Sequence, residues 1–459
     1  MSNEKDGAIY SVRELGTGKT LVLGLQHLFA MFGATVLVPI ITGLSVSATL
    51  LFAGLATLFC HLVTGRKVPV FLGSSFAFLG GYAAVKASGV EAGLTESQAL
   101  PYACIGVACA GLLYLLLALI CKSVGSKRVM QFFPPVVTGP IIIAIGMNLA
   151  PSAINNCAES WGIALVAIAV VVACNIWGKG MIKIIPILLG VVASYLVAAI
   201  FGKVDFTLVK DAAWIGLPFK MEDTVFGLFS GGVNGGLVLS AIITIVPIAV
   251  ATMMEHVGDI SAISSTVGKN FIEDPGLHRT LIGDGIGTTI ASLFGAPANT
   301  TYGENTGVLA LTKVYDPLVI ELAAVFAVVL SFCPKFAAII RVMPTATIGG
   351  VSLILYGMIS AIGIRNMVEN HTDFQKSRNV IIAALIIGLA IGVNFSSALG
   401  ADTVNGISGA ISFSIGSLKI SLSGLAVASL VGIVLNAILP GRRTDLDHND
   451  KLSGSLGKY

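Results

Sequence analysis

The 459-residue chain is 55% hydrophobic and only 11% charged, with a mean hydropathy of +0.91 and a formal net charge of +3. Soluble domains carry about 25% charged residues, so this composition excludes a soluble enzyme, a disordered chain, a disulfide scaffold and a fibre. What remains is a polytopic membrane protein, with too little positive charge and no basic run to suggest nucleic acid.

Residues 1–19 hold Glu4, Lys5, Asp6, Arg13, Glu14 and Lys19 but no apolar stretch, so no cleavable signal peptide is expected. Gly16-Thr17-Gly18-Lys19-Thr20 imitates the end of a phosphate-binding loop. Arg13, however, stands where the earlier glycine is required, and a membrane span follows. Spans of about 20 apolar residues are predicted near 20–42, 45–62, 68–85, 101–120, 133–150, 161–177 and 184–201. After a polar stretch they resume at 235–260, 281–294, 297–311, 317–332, 343–362, 380–395 and 422–439. The predicted fold is therefore an all-α polytopic membrane protein of about 14 spans. The 53 glycines fit close-packed membrane helices. The seven cysteines lack any C-x-x-C pair and read as small apolar residues.

With the N-terminus inside, only Lys86, Lys203, Lys210, Lys220, Lys335, Arg341 and Lys419 of the 27 Lys and Arg fall outside, leaving twenty inside. Positive charge favours the cytoplasmic face, so both termini are expected in the cytoplasm. Lys335 and Arg341 fit this count worst.

Two segments make poor continuous helices. One runs Pro69-Val70-Phe71-Leu72-Gly73-Ser74-Ser75-Phe76, the other Pro297-Ala298-Asn299-Thr300-Thr301-Tyr302-Gly303-Glu304. Each places a distinctive side chain, Phe76 or Glu304, seven residues after the proline. Pro134, Gly139, Gly146 and Met147 likewise match Pro344, Gly349, Gly357 and Met358, but for one inserted residue. The matched segments lie seven spans apart. Because seven is odd, the second half enters the membrane from the opposite side, which predicts a 7+7 inverted repeat with a midplane site between broken helices.

Acids inside a bilayer are costly and mark function by default. Glu255, Asp259, Asp284, Glu304 and Glu321 fall within spans or at their ends, and no Lys or Arg lies firmly inside a span to pair with them. Such acids hold a proton readily, as a proton-coupled carrier needs. Glu255 and Asp259 are four apart, on one helix face; they are either functional or a solvated end-of-helix pair. Asp284, in Gly283-Asp284-Gly285, is either functional or a structural group bonded to exposed backbone. Glu321 reads as a helix-dipole partner in the first turn of its span. His27, beside Gln26, either orients a site residue or makes an interhelical hydrogen bond. No metal spacing or nucleophile motif supports an enzyme, and no cofactor is expected beyond the coupling proton.

The run Gly303-Glu304-Asn305-Thr306-Gly307-Val308-Leu309-Ala310-Leu311-Thr312-Lys313 resembles the signature of the nucleobase–ascorbate (nucleobase:cation symporter-2) transporters. Gln26-His27, Gly73-Ser74-Ser75-Phe76 and Glu255-His256 resemble further family marks, and Glu304 at the first motif position is similar to the bacterial uracil permease branch. The resemblance implies short strands in broken spans 3 and 10, and a core domain (20–125 and 235–333) beside a gate domain (126–203 and 334–440). The cytoplasmic tails are then 1–19 and 441–459, with an extracellular linker at 204–234. It implies that Phe76 stacks on the base, that Glu255 and Glu304 hydrogen-bond it, and that backbone at Tyr302 and Gly303 completes the pocket. Glu255, Asp259 and Glu304 would couple protons, supported by Gln26, His27, Asp284 and Asn305. The implied activity is uracil:proton symport across the cytoplasmic membrane by a homodimer joined through its gate domains. The alternative is a proton-coupled xanthine or guanine permease, because Asp259 stands where some uracil permeases have His.

Uracil is flat and uncharged, with N–H donors alternating with C=O acceptors. An aromatic face, half-helix N–H groups for its carbonyls and carboxylates for its N–H groups form a complementary set.

Overall fold

A computed structural model of the chain describes residues 8–401, 409–415 and 418–440. The C-terminal tail 441–459 and residues 1–7 of the N-terminal tail lie outside the described residues. The chain builds helices α1 (Thr17–Thr42), α2 (Val46–Val63), α3 (Leu79–Glu91), α4 (Glu96–Val124), α5 (Pro135–Ala158), α6 (Trp161–Trp177), α7 (Pro186–Ile200) and α8 (Gly235–Ile245). It continues through α9 (Ala249–Val267), α10 (Leu277–Leu293), α11 (Gly303–Thr312), α12 (Leu318–Ser331), α13 (Pro334–Arg341), α14 (Thr345–Glu369), α15 (Ser377–Phe395) and α16 (Gly424–Ile438). Seven described helical stretches, one of them α8 and α9 taken together, are long and apolar enough to cross a membrane, or eight if the bent pair α12–α13 counts as one span. The protein is a multi-pass membrane protein.

The two proline-led segments are not helical at their start. Strand β1 (Leu72–Ser74) pairs antiparallel with β2 (Asn299–Thr301), with Gly73 opposite Thr300. The ladder is extended at its ends, where Ser75 N–H donates to the Ala298 carbonyl (2.8 Å) and Tyr302 N–H to that of Phe71 (3.1 Å). The outer edges of so short a ladder leave backbone groups that lipid cannot satisfy. Thr57 of α2 covers one edge, bonding both the N–H and C=O of Leu72 at 2.9 and 3.2 Å. Thr288 of α10 does the same for Asn299 at 3.1 and 3.3 Å. Each strand leads into a half-helix, α3 after β1 and α11 after β2.

Helix α4 packs along α10 and α8, and α12 along α2 and α1. Helix α5 packs along α14 and α15, α14 along α6, α6 along α7, and α15 along α16. Glycine permits the closest crossings. A Cβ on Gly111 would lie 2.7 Å from the Gly285 carbonyl oxygen, and one on Gly363 would lie 2.6 Å from that of Gly139.

Two regions depart from the sequence reading. Helix α13 turns 88° from α12, so Lys335 and Arg341 sit on a short helix that crosses the end of a span rather than continuing it. This accounts for their poor fit to a simple inside–outside count. Between α15 and α16, where no element was predicted, β3 (Ala410–Ile415) pairs antiparallel with β4 (Leu418–Ser423).

Candidate functional site

The β1–β2 ladder fixes where the half-helices begin and so where their first side chains point. Gly73 is required here. A Cβ on it would lie 2.5 Å from the Tyr302 ring and 2.9 Å from Thr35 Oγ1. That space is taken because the Tyr302 hydroxyl turns away from the cavity, donates to the Ser74 carbonyl (2.9 Å) and accepts from Thr35 Oγ1 (3.3 Å). Tyr302 thus locks the ladder to α1, and Glu304 follows in the first turn of α11.

A cavity of about 30 Å³ lies at this junction. It is lined by Phe76 after β1, Glu255 and Asp259 of α9, Thr300, Thr301, Tyr302, Gly303 and Glu304 of the second broken segment, Ile142 of α5, and Ile359 and Ile362 of α14. The structure therefore brings together six residues singled out from the sequence: Phe76, Glu255, Asp259, Tyr302, Gly303 and Glu304. The spacing of four puts both α9 acids on the cavity face. Among the described residues no Lys, Arg or His lines it. Glu255 Oε2 is buried without a hydrogen-bond partner, whereas Asp259 Oδ2 accepts from Thr301 Oγ1 at 2.5 Å. The Phe76 ring is held edge-on by Tyr356 of α14, with centroids 5.4 Å apart.

The remaining candidates stand behind this wall. Asn305 Nδ2 reaches the His27 carbonyl and ring Nδ1, each at 3.2 Å, so His27 makes an interhelical bond to a motif residue. Gln26 Oε1 is buried and unpartnered, away from the cavity lining. Asp284 does not bond exposed backbone. It meets His256 Nδ1 at 2.8 Å, both side chains fully buried, while His256 Nε2 contacts Thr280 Oγ1 at 3.0 Å. Glu321 is more than a helix-dipole group. Its Oε1 lies 3.1 Å from Arg66 Nε and 3.3 Å from His61 Nδ1, and His61 Nε2 donates to the Val70 carbonyl (2.8 Å). Arg66 supplies the cationic partner, and His61 a second hydrogen-bonding partner, that the sequence reading did not place. Sequence reasoning also missed Thr301 and Ile142, Ile359 and Ile362. The one available signal was the Thr300-Thr301 pair in the extended stretch.

An aromatic ring and three carboxylates facing one enclosed space between broken helices define a solute carrier. Residues 18–399 match the permease family, and the chain belongs to it, as a transporter rather than an enzyme. It is 40% identical over 438 residues to the uracil permease of Bacillus caldolyticus, covering 93% of each chain. It is 39% identical over 443 residues to that of Bacillus subtilis, with 94% of each covered. The uracil permease of Escherichia coli is 37% identical over 431 residues, covering 92% of this chain and 91% of that one. In fold it is similar to the transmembrane domain of the cyanobacterial bicarbonate transporter BicA (TM-score 0.59, 17% identity, 94% of this chain and 99% of that one). It is also similar to SLC26A9 (TM-score 0.60, 11% identity, 93% and 66%).

Proposed function

We propose that the chain imports uracil across the cytoplasmic membrane together with protons, by alternating access. The observation that carries this is the lining of the ladder cavity, with Phe76 and three acids and, among the described residues, no cation. Such a lining repels anions and suits a neutral heterocycle whose ring N–H groups donate to Glu255 and Glu304. N–H groups at the start of α11 can serve the carbonyls. Carboxylates crowded in a dry site disfavour one another's charge. A proton on the Glu255–Asp259 pair therefore favours an ionised Glu304 and tighter base binding, and the bound base favours the proton. In this reading loading and release move α9 and α11 relative to α5 and α14, whose side chains complete the cavity lining. The near-full-length uracil permease relatives support uracil as cargo.

Fourteen spans in an inverted 7+7 repeat remain our reading of the architecture. It is supported by packing pairs that exchange when each predicted span is shifted by seven. Contact α1–α12 becomes α8–α4, α2–α12 becomes α10–α4, α5–α15 becomes α14–α6, and α6–α7 becomes α15–α16. The Thr57 and Thr288 caps are related in the same way. In this reading the core domain (20–125, 235–333) carries the ladder and the gate domain (126–203, 334–440) faces it. Both termini are cytoplasmic, and two copies join through their gate domains.

Reconstituted protein should accumulate labelled uracil when an inward proton gradient is imposed and lose that accumulation on addition of an uncoupler. Uptake that persists with the uncoupler present would refute symport. Glu304→Gln should abolish uptake, and normal uptake by it would refute the binding role. Asp259 favours the purine carrier as the second reading, which competition by xanthine and guanine tests.

A further inference from the structure

A second cavity, of about 200 Å³, adjoins the first, and the two share Phe76 as a common wall. It occupies the half of the molecule where α5 and α15 end and α16 begins. Its polar lining includes Asn148, Ser152 and Asn155, spaced i, i+4 and i+7 on one face of α5, with Asn394 at the end of α15. Asn148 Oδ1 is buried and has no hydrogen-bond partner among the described residues, a state that costs about 1–3 kcal/mol until a donor arrives. Phe76 and Phe395 supply aromatic surface. On the floor, a Cβ at Gly80 would meet nothing within 4 Å, so the first turn of α3 leaves open space there. Among the described residues no lining side chain is ionisable, a lining that suits a neutral ring better than an anion.

A carboxamide presents an N–H donor beside a C=O acceptor. The imide edge of a heterocycle presents the same pair in complementary order, so the two join by paired hydrogen bonds. We propose that this cavity is a second binding site for a neutral planar heterocycle with an imide edge. The ring docks on the carboxamides of Asn148 and Asn155 before it passes Phe76 to the acidic cavity. The proposal rests on the nucleobase reading above and adds a site to it.

The test uses Ser152→Cys, an exposed position on the cavity wall that is not one of the two docking carboxamides, labelled in membrane vesicles by an impermeant maleimide with the wild-type chain as background. Uracil should slow labelling severalfold, and should still do so when Glu304→Gln disables the inner site. Adding Gly80→Leu, which extends a side chain from a position where a Cβ has open space, should remove the protection, as should Asn148→Leu. On their own these two should raise KM for uptake several-fold while leaving kcat within twofold. Protection lost with Glu304→Gln, or surviving Gly80→Leu and Asn148→Leu together, would overturn the second site while leaving uracil transport standing. Absence of uracil uptake by the wild-type protein would instead overturn the transport reading, and the second site with it.

Discussion

Thr301 Oγ1 donates to Asp259 Oδ2, a bond that ties the β2 strand to α9 across the floor of the cavity. Hydrogen bonds to charged groups contribute about 1.5–3 kcal/mol. Thr301→Val keeps the β-branched shape and removes the donor, so proton-driven uptake should fall by about tenfold or more, since 1.4 kcal/mol is one decade. Thr301→Ser should restore it. Initial uptake rates for the pair decide the matter, and equal rates for Val and wild type would remove Thr301 from the coupling machinery.

Gly73 faces the Tyr302 ring at a distance that admits no Cβ. Overpacking of this kind costs about 1–3 kcal/mol, and here the displaced ring holds the ladder to α1. Gly73→Ala should lower both the unfolding temperature of the detergent-solubilised protein and uracil binding. A variant with an unchanged melting curve and unchanged binding would show that the ladder tolerates the shift.

The broken segments, the acids and the close-packed glycines were legible in the sequence because each violates what a lipid-facing helix allows. Proline followed by small polar residues cannot continue a span, and an acid in an apolar run has no local reason to be there. Phe76 and Glu304, seven residues after their prolines, come to one cavity because both strands pair and both half-helices start at the ladder's ends. The partners of Asp284, Glu321 and Asp259 were not legible. They depend on helix rotation, on tight chain turns such as Arg66 at φ 55°, and on contacts 28, 42 and 260 residues apart in sequence. The 88° turn into α13 was equally hidden, since an amphipathic turn of helix and a polar loop have similar composition.

Asp284 forms a fully buried pair with His256, the residue that follows Glu255 on α9. Because neither touches the cavity, Asp284→Asn should act on the moving step rather than on recognition. Turnover should fall by about tenfold or more, about 1.4 kcal/mol in the moving step, while equilibrium uracil binding changes less than threefold. A loss of binding as large as the loss of turnover would put Asp284 in the substrate site.

Glu321, His61 and Arg66 lie away from the cavity, where they fasten the turn that leads into β1 to the start of α12. Glu321→Gln should therefore lower the unfolding temperature and leave KM for uracil within about twofold. The exposed Arg66 contributes little on its own, as surface pairs are worth about 0–1 kcal/mol, so Arg66→Gln should be milder than His61→Gln. Thermal melts ranked in the other order would show that the surface partner carries the contact.

Selectivity between one-ring and two-ring bases should rest on Ile142, Ile359 and Ile362, which close the cavity opposite the acids. Ile362 is the nearest of them to the helix tip, with its Cδ1 3.0 Å from where a Cβ on Gly303 would sit. A wall of branched apolar side chains excludes by size, and such discrimination amounts to about 1–3 kcal/mol per methylene-sized difference. Unlabelled 5-fluorouracil should thus compete with labelled uracil, thymine more weakly, and xanthine and guanine scarcely at all. Ile362→Ala combined with Ile359→Ala should raise competition by xanthine at least tenfold over the wild type. Strong xanthine competition in the unmodified protein would instead favour the purine carrier and make Asp259 the residue that distinguishes it.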